Sequence, residues 1–184
     1  MGKKLLKILG IALQIIGVLT LIGVVAVSVM VFPWLRPSGP KINHVTPDKA
    51  MFVLNWGQIG DKSKIQRVIH SYESPRSFTG DGIDAYCLQI DHFPEEVLPK
   101  DDAGQEVWLK PPIDDALLVE ALKTATMMAH SDNLAWFPSA EALNSNRFYL
   151  NFWTIVAHNQ MVTSVQLIAY DREEQKIYYA DAKW

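Results

Sequence analysis

The sequence predicts an N-terminal transmembrane helix followed by one α+β domain with a mainly antiparallel sheet and two main helices. Three features carry this prediction: an uncharged apolar run over residues 8–32, apolar side chains at helical spacing over residues 113–128, and segments rich in aromatic and β-branched residues between 147 and 180. Such patterns are the main sequence signals for helices and strands. Because strands and helices do not alternate regularly along the chain, a parallel βαβ sheet is not expected.

The apolar run over residues 8–32 is long enough to cross a membrane, since a helix of roughly 20 residues spans the hydrocarbon core. Pro33 and Trp34 follow it, and an interfacial tryptophan is typical of the end of such a helix. The residues before it carry a positive excess, from Lys3, Lys4 and Lys7. The positive-inside rule therefore places residues 1–7 in the cytoplasm and the C-terminal domain outside it, at a cell (inner) membrane.

A cleaved signal peptide is the alternative for this segment, because Ala26-Val27-Ser28 has the small-x-small pattern of a cleavage site. The apolar run is longer, however, than the roughly 7–15 residues that are usual in signal peptides. We therefore expect an uncleaved signal-anchor.

Residues 33–48 are predicted to form a linker. This segment contains Pro33, Pro37, Pro40 and Pro47. Since proline restricts φ and lacks an amide donor, the linker should be extended and semi-rigid. Residues 49–184 then form the domain outside the cytoplasm, with enough chain for one hydrophobic core.

Charge separates the two parts of the chain. After Phe32 there are 14 Lys and Arg against 20 Asp and Glu, a formal charge of −6. An acidic body argues against nucleic acid as a partner. Cys87 is the only cysteine, which excludes a disulfide scaffold, and the aromatic and aliphatic content excludes a disordered chain.

The first half of the domain is predicted to contain one helix and three strands. Its helix rests on apolar residues at i, i+3, i+4 and i+7, after Asp61 as a capping residue. Those residues are Ile65, Val68, Ile69 and Tyr72. The predicted elements are a strand at 50–56, a helix at 61–72, a loop at 74–82, a strand at 83–90, a loop at 93–104 and a strand at 106–110.

The second half is predicted to contain the clearest helix and a three-stranded meander. Pro112 suits a helix start, and Asp114 and Asp115 complement the helix dipole there. The predicted elements are a helix from Pro112 to His130, a short helix at 139–143 and strands at 147–157, 161–170 and 175–180. Together they favour an antiparallel sheet with helices mainly on one face.

The loop over residues 74–82 is the first candidate site. Arg76 can clamp an anion, Ser77 and Thr79 offer hydroxyl groups, and Asp81 adds a carboxylate. No Gly-Lys-Ser/Thr motif and no helix follows, so it is neither a P-loop nor a dinucleotide-binding motif. The structural alternative is a connecting turn that Asp81 caps while it pairs with Arg76.

Four aromatic residues form the second candidate site, a surface for a protein partner. They are Trp136, Phe137, Tyr149 and Trp153. Tryptophan and tyrosine are favoured at protein interfaces as well as in cores. The alternative is that the strand carrying Tyr149 and Trp153 is a central strand covered on both sides.

The sequence indicates no catalytic residue, metal site or cofactor. The five histidines lack the spacing of metal motifs, and there is no G-x-S-x-G nucleophile motif. Cys87 lies in the middle of a predicted strand, where a cysteine usually acts as a small buried apolar residue.

The leading functional hypothesis is therefore a single-pass membrane-anchored protein whose acidic domain binds a protein partner, and such a domain suits a basic partner. An envelope immunity protein or an accessory subunit of an envelope complex would have this organisation. The alternative is a membrane-tethered hydrolase or small-ligand-binding domain that uses the Ser74–Gly82 loop. A third hypothesis is assembly through the transmembrane helix itself.

Overall fold

The computed structural model describes residues 14, 16–28, 45–95, 107–159 and 161–184. The chain divides into two compact units, Met1–Pro37 and Ser38–Trp184. In the first unit, residues 14 and 16–28 are helical (α1). No helix among the described residues combines the length and the hydropathy that crossing a membrane would require. The predicted span over residues 8–32 extends beyond the described residues at both ends.

The second unit is α+β, as predicted, with one five-stranded antiparallel sheet. Its strands lie in the order β1-β2-β5-β4-β3, so the C-terminal strand β5 joins the β1–β2 hairpin to the β3–β4 hairpin. The elements in chain order are α2 (Pro47–Trp56), β1 (Ile65–Glu73), β2 (Gly82–Ile90), α3 (Ala116–Ser131), α4 (Ala140–Leu143), β3 (Phe148–His158), β4 (Met161–Asp171) and β5 (Lys176–Lys183).

The sheet has a hydrophobic core on each of its faces. Successive side chains of a strand point to opposite faces. In β2, Ala85 therefore lies in the first core and Leu88 in the second, and in β5 the same holds for Ala180 and Tyr179. The inner strands β2, β5 and β4 contribute buried residues to both cores.

Each core is covered by its own helix, so the prediction that the helices lie mainly on one face is wrong. α3 packs Ala121, Leu122 and Ala125 into the first core. α2 packs Val53 and Leu54 into the second core. The unit is therefore a three-layer arrangement with the sheet in the middle.

The predicted strand at 50–56 is wrong, because this segment belongs to helix α2. Pro47 occupies the first turn after Thr46, the N-cap residue, and Asp48 adds an acidic side chain there. The buried residues Ala50, Val53 and Leu54 lie at helical spacing. A short apolar run does not distinguish a strand from a buried helix, and the helix-start signals here lie inside the predicted linker.

The predicted helix at 61–72 is also wrong, because residues 65–73 form β1. The register between β1 and β2 is irregular from Val68 to His70. Val68 packs against the second core, whereas Ile69 and Tyr72 pack against the first. A bulge inserts an extra residue into a strand and re-aims the side chains after it. Apolar residues on both faces of a bulged strand thus reproduced the spacing of a helix.

The other elements agree more closely with the prediction. α3 begins at Ala116 rather than at Pro112, and the Asp115 side chain accepts from the amides of Leu117 and Leu118 at 3.0 Å each. Residues 107–110 form only one bridge, Leu109 to Leu150, in place of the predicted strand at 106–110. Most of the predicted loop at 93–104 lies outside the described residues.

Trp108 links this bridge segment to α2. Its side chain is fully buried, and its Nε1 donates to the carbonyl oxygen of Gly57 at 2.8 Å. Phe93 meets it edge-on, with 4.9 Å between the ring centroids. Trp108 therefore fills the second core and also satisfies a buried carbonyl group just beyond the end of α2.

We predict that Trp108→Phe lowers the free energy of unfolding by about 1–3 kcal/mol, because the Gly57 carbonyl loses its donor while most of the ring volume remains. Trp108→Ala should cost about 3–5 kcal/mol because it also leaves a cavity. Urea unfolding followed by circular dichroism measures both values. Trp184→Phe, at an exposed position, is the control and should change stability by less than about 0.5 kcal/mol.

Candidate functional site

The β1–β2 loop holds the four predicted ligand residues. Arg76 forms an ion pair with Asp84 of β2. The Asp81 amide donates to Ser77 Oγ at 2.9 Å, Ser77 Oγ donates to the Asp81 carboxylate at 3.1 Å, and Thr79 Oγ1 also donates to that carboxylate. The turn-capping role predicted for Asp81 agrees with these bonds, but its predicted pairing with Arg76 is wrong, since Arg76 pairs with Asp84. The polar side chains of the loop thus bond mainly to one another.

The four predicted partner-binding aromatics do not form one surface. Phe137 is 2% exposed in the first core and Tyr149 is 6% exposed in the second core. Neither ring reaches the surface, because each packs inside the domain. Trp136 is partly buried against the first core and stacks on His70. Trp153 is the most accessible of the four, with 45% exposure.

The strand that carries Tyr149 and Trp153 is an edge strand, so the predicted central position is wrong. Its first residues, 148–151, are buried, and its burial decreases from Phe152 onward. Trp153 occupies the irregularity between Phe152 and Thr154 in the register with β4. The strand therefore changes from a covered to an accessible segment at this tryptophan.

Beside Trp153, the second face of the sheet carries a line of polar residues. The pairing register places Glu73 of β1 opposite Asp84 of β2, and Asp84 opposite Asp181 of β5. Gln166 of β4 and Thr154 of β3 continue the same line. We call the three carboxylates Glu73, Asp84 and Asp181 the carboxylate row. They lie two residues from Tyr86 and Tyr179 along β2 and β5, and hence on the same face.

Asp84 is the most constrained member of the carboxylate row. Burial raises the pKa of its carboxyl group above the ordinary value of 3.8; Arg76 opposes this, while Asp181 and Glu73 add to it. Like charges directly opposite each other in a sheet are destabilising. Within the described part of the chain Asp181 forms no ion pair to offset this repulsion. The carboxylate row therefore concentrates negative charge, and the repulsion lowers the stability of the domain.

Two stacked tryptophans border the carboxylate row. The rings of Trp56 and Trp153 lie 6.0 Å apart with an angle of 4° between their planes. Trp56 also contacts Tyr179, whose ring stacks on Tyr86 at 5.7 Å. We call Trp56 and Trp153 the tryptophan pair. An aromatic surface next to carboxylates suits a cationic side chain, which interacts favourably with both.

The prediction from sequence missed the carboxylate row and Trp56. One signal was available, since Ala180-Asp181-Ala182-Lys183 alternates apolar and polar residues, which indicates one polar face of a strand. Alternation does not say which strands are neighbours, however. The row becomes visible only when the register brings residues of β1, β2 and β5 side by side.

A cleft of about 470 Å³ lies at the C-terminal end of α3. His130, Ser139, Arg147 and Tyr178 contribute to its lining, and none of its lining residues belongs to the β1–β2 loop. The Arg147 Nε donates to the buried Asp171 at 2.8 Å, and its Nη2 donates to Glu174 at 2.8 Å. These hydrogen bonds raise the pKa of the Arg147 guanidinium. The cation of the cleft is therefore held by the protein's own carboxylates.

Chemistry for catalysis or metal binding is sparse among the described residues. They contain no group of three His, Cys, Asp or Glu side chains placed to hold a metal ion. Burial raises the pKa of the Cys87 thiol to about 11. Since the thiolate is the nucleophilic form, Cys87 is unsuited to attack a substrate at neutral pH.

We predict that Asp181→Asn stabilises the domain by about 0.5 kcal/mol at pH 7, because it removes the charge opposite Asp84. Folding raises the pKa of the Asp84 carboxyl group. The charged carboxylate therefore destabilises the folded state fully above the folded-state pKa, and this destabilisation is lost as the pH falls below the ordinary value of 3.8. The gain of the variant should therefore disappear in acid. Urea unfolding as a function of pH measures it.

Glu120→Gln is the matched control for this prediction. It removes one negative charge at an exposed position of α3, with the same change in net charge. An equal gain in stability from Glu120→Gln would attribute the effect to net charge and contradict the local repulsion.

Comparison with protein-family models, with curated protein sequences and with solved structures gives no match for this chain. Its function is therefore inferred from the chemistry of the described residues.

Proposed function

We propose that this chain is a single-pass membrane-anchored protein whose domain, outside the cytoplasm, binds a protein partner through a cationic segment. The anchor is the uncharged run over residues 8–32, with Lys3, Lys4 and Lys7 on its cytoplasmic side. Envelope immunity proteins and accessory subunits of envelope complexes are the kinds of protein that this organisation suits.

The observation that carries the proposal is the carboxylate row beside the tryptophan pair, of which Trp153 is exposed. Arg76 offsets one carboxylate, and the Lys183 ammonium group lies near Gly80 of the loop. Asp181, which forms no ion pair among the described residues, remains for a partner's cation. An arginine from the partner can pair with Asp181 while its guanidinium plane lies against Trp153.

The acidic surplus of the domain supports the same proposal at longer range. Complementary charge steers a partner toward a surface and mainly raises the association rate. The exposed fraction of Trp153 supplies the apolar contact that makes an encounter specific, as tryptophan does at the centre of many interfaces.

The hydrolase alternative would need the β1–β2 loop to meet a histidine or a second carboxylate in a concave pocket. Arg76 does meet Asp84, but as an ion pair, and Ser77, Thr79 and Asp81 bond to each other. No observation on the described residues favours that alternative over partner binding.

The test is site-specific photo-crosslinking in cells with the full chain. A photoreactive residue at position 153 should give an adduct with a partner, whereas one at position 120, on the outer surface of α3, should not. In Asp181→Asn the yield should fall about twofold, as expected for the loss of one exposed ion pair of about 0.5 kcal/mol.

The matched control is Glu120→Gln, which removes the same charge at an exposed position away from the row. An adduct that is absent at position 153, or equally reduced by the control variant, refutes the proposed binding face. Alkaline extraction of the membrane fraction tests the anchor separately, since an anchored chain stays with the lipid.

A further inference from the structure

One end of the sheet gathers exposed apolar side chains. Among the described residues of the domain, seven large apolar side chains are exposed, and four of them lie here. They are Phe78, which is completely exposed, Met161 at 71%, Trp184 at 53% and Val156 at 49%. We call these four residues the apolar tip.

The pairing register places the members of the apolar tip at the same end. Gly82, which closes the β1–β2 loop, is opposite Lys183, and Lys183 is opposite Ser164 near the β3–β4 turn. The loop, the turn and the C-terminus therefore project together beyond the last common row. With strands about 4.8 Å apart, the tip extends across roughly 15 Å from β2 to β3.

Hydrogen bonds of the main chain order the loop that carries Phe78. In the loop, the Gly80 amide donates to the Ser77 carbonyl at 3.0 Å, and the Ser77 amide donates to the Asp81 carbonyl at 3.1 Å. Gly80 has φ of 82°, a conformation that favours glycine. Phe78 is thus carried on a hydrogen-bonded loop rather than on a loose one.

The apolar tip contains the kinds of side chain that proteins place at a membrane interface. Tryptophan and phenylalanine with a neighbouring lysine are typical of side chains at the boundary between lipid and water. Lys183 supplies the cation beside Trp184. The carboxylate of the loop, Asp81, accepts hydrogen bonds from Ser77 and Thr79.

We propose that the apolar tip docks into the interface of the same membrane that holds the anchor. This inference rests on the anchor of the proposed function but not on its protein partner, which uses the carboxylate row. Residues 33–46 reach about 40 Å when extended at about 3.1 Å per residue, so the bilayer remains within reach. Tethering supplies a high effective concentration, and a small apolar patch then suffices for docking.

The test uses the full chain in phosphatidylcholine vesicles, with an environment-sensitive NBD label on single introduced cysteines. Cys87 is 2% exposed and can stay in place, because a buried thiol does not react. The tip variants are Phe78→Cys and Met161→Cys. The matched control is Glu173→Cys, an exposed position between β4 and β5 at the opposite end of the sheet.

The expected result is a shift of the emission to shorter wavelength at positions 78 and 161 and none at position 173. Doxyl-labelled lipid should quench the two tip labels only. Because the contact is apolar, both effects should persist in about 0.5 M NaCl, where the Debye length is only about 4 Å and attraction between charges is strongly screened.

Three outcomes overturn the inference. Tip labels that remain in water while the chain floats with the vesicles exclude docking, and crosslinking of position 78 to a protein would then assign the tip to a partner. A shift that is lost in high salt would indicate attraction of Lys183 to lipid charge rather than apolar contact. If the chain does not float with the vesicles at all, the anchor itself is refuted.

Discussion

The pleat of the three inner strands is the constraint on which the rest of the domain depends. β2, β5 and β4 each place alternate side chains in two separate cores, and each core needs its own cover. α3 covers one face and α2, with Trp108, covers the other. A one-residue slip of β5 would exchange the two sets of side chains and break both cores, so the register is strongly specified.

That same register creates the candidate binding face. Tyr86 of β2 is paired with Tyr179 of β5. The antiparallel register therefore also pairs Asp84 with Asp181, since each lies two positions from the tyrosine of its own strand. Their mutual repulsion is a local conflict in an otherwise consistent fold. Natural proteins tend to break such local rules at functional sites, and on this ground we propose the row as the binding face for a partner.

The register of the sheet is irregular in β1 and in β3, and each irregularity changes the direction of nearby side chains. In β1 it allows Ile69 and Tyr72, three residues apart, to pack against the same core, where regular alternation would place them on opposite faces. In β3 it brings Trp153 out of the ladder and against Trp56. Bulges commonly re-aim side chains at sheet edges, and here they separate a structural aromatic, Tyr149, from an accessible one, Trp153.

The amino-acid sequence by itself determined the α+β class, the β3–β4–β5 meander, the positions of α3 and α4 and the acidic charge of the domain, because local periodicity, turn residues and composition carry that information. It also predicts the membrane anchor, which extends beyond the described residues. Only the tertiary structure decided that residues 47–56 are a helix and 65–73 a strand, since a short apolar run and a bulged strand are ambiguous locally. The carboxylate row and the apolar tip likewise depend on register, which joins residues nearly a hundred positions apart, such as Asp84 and Asp181, and no local pattern encodes that pairing.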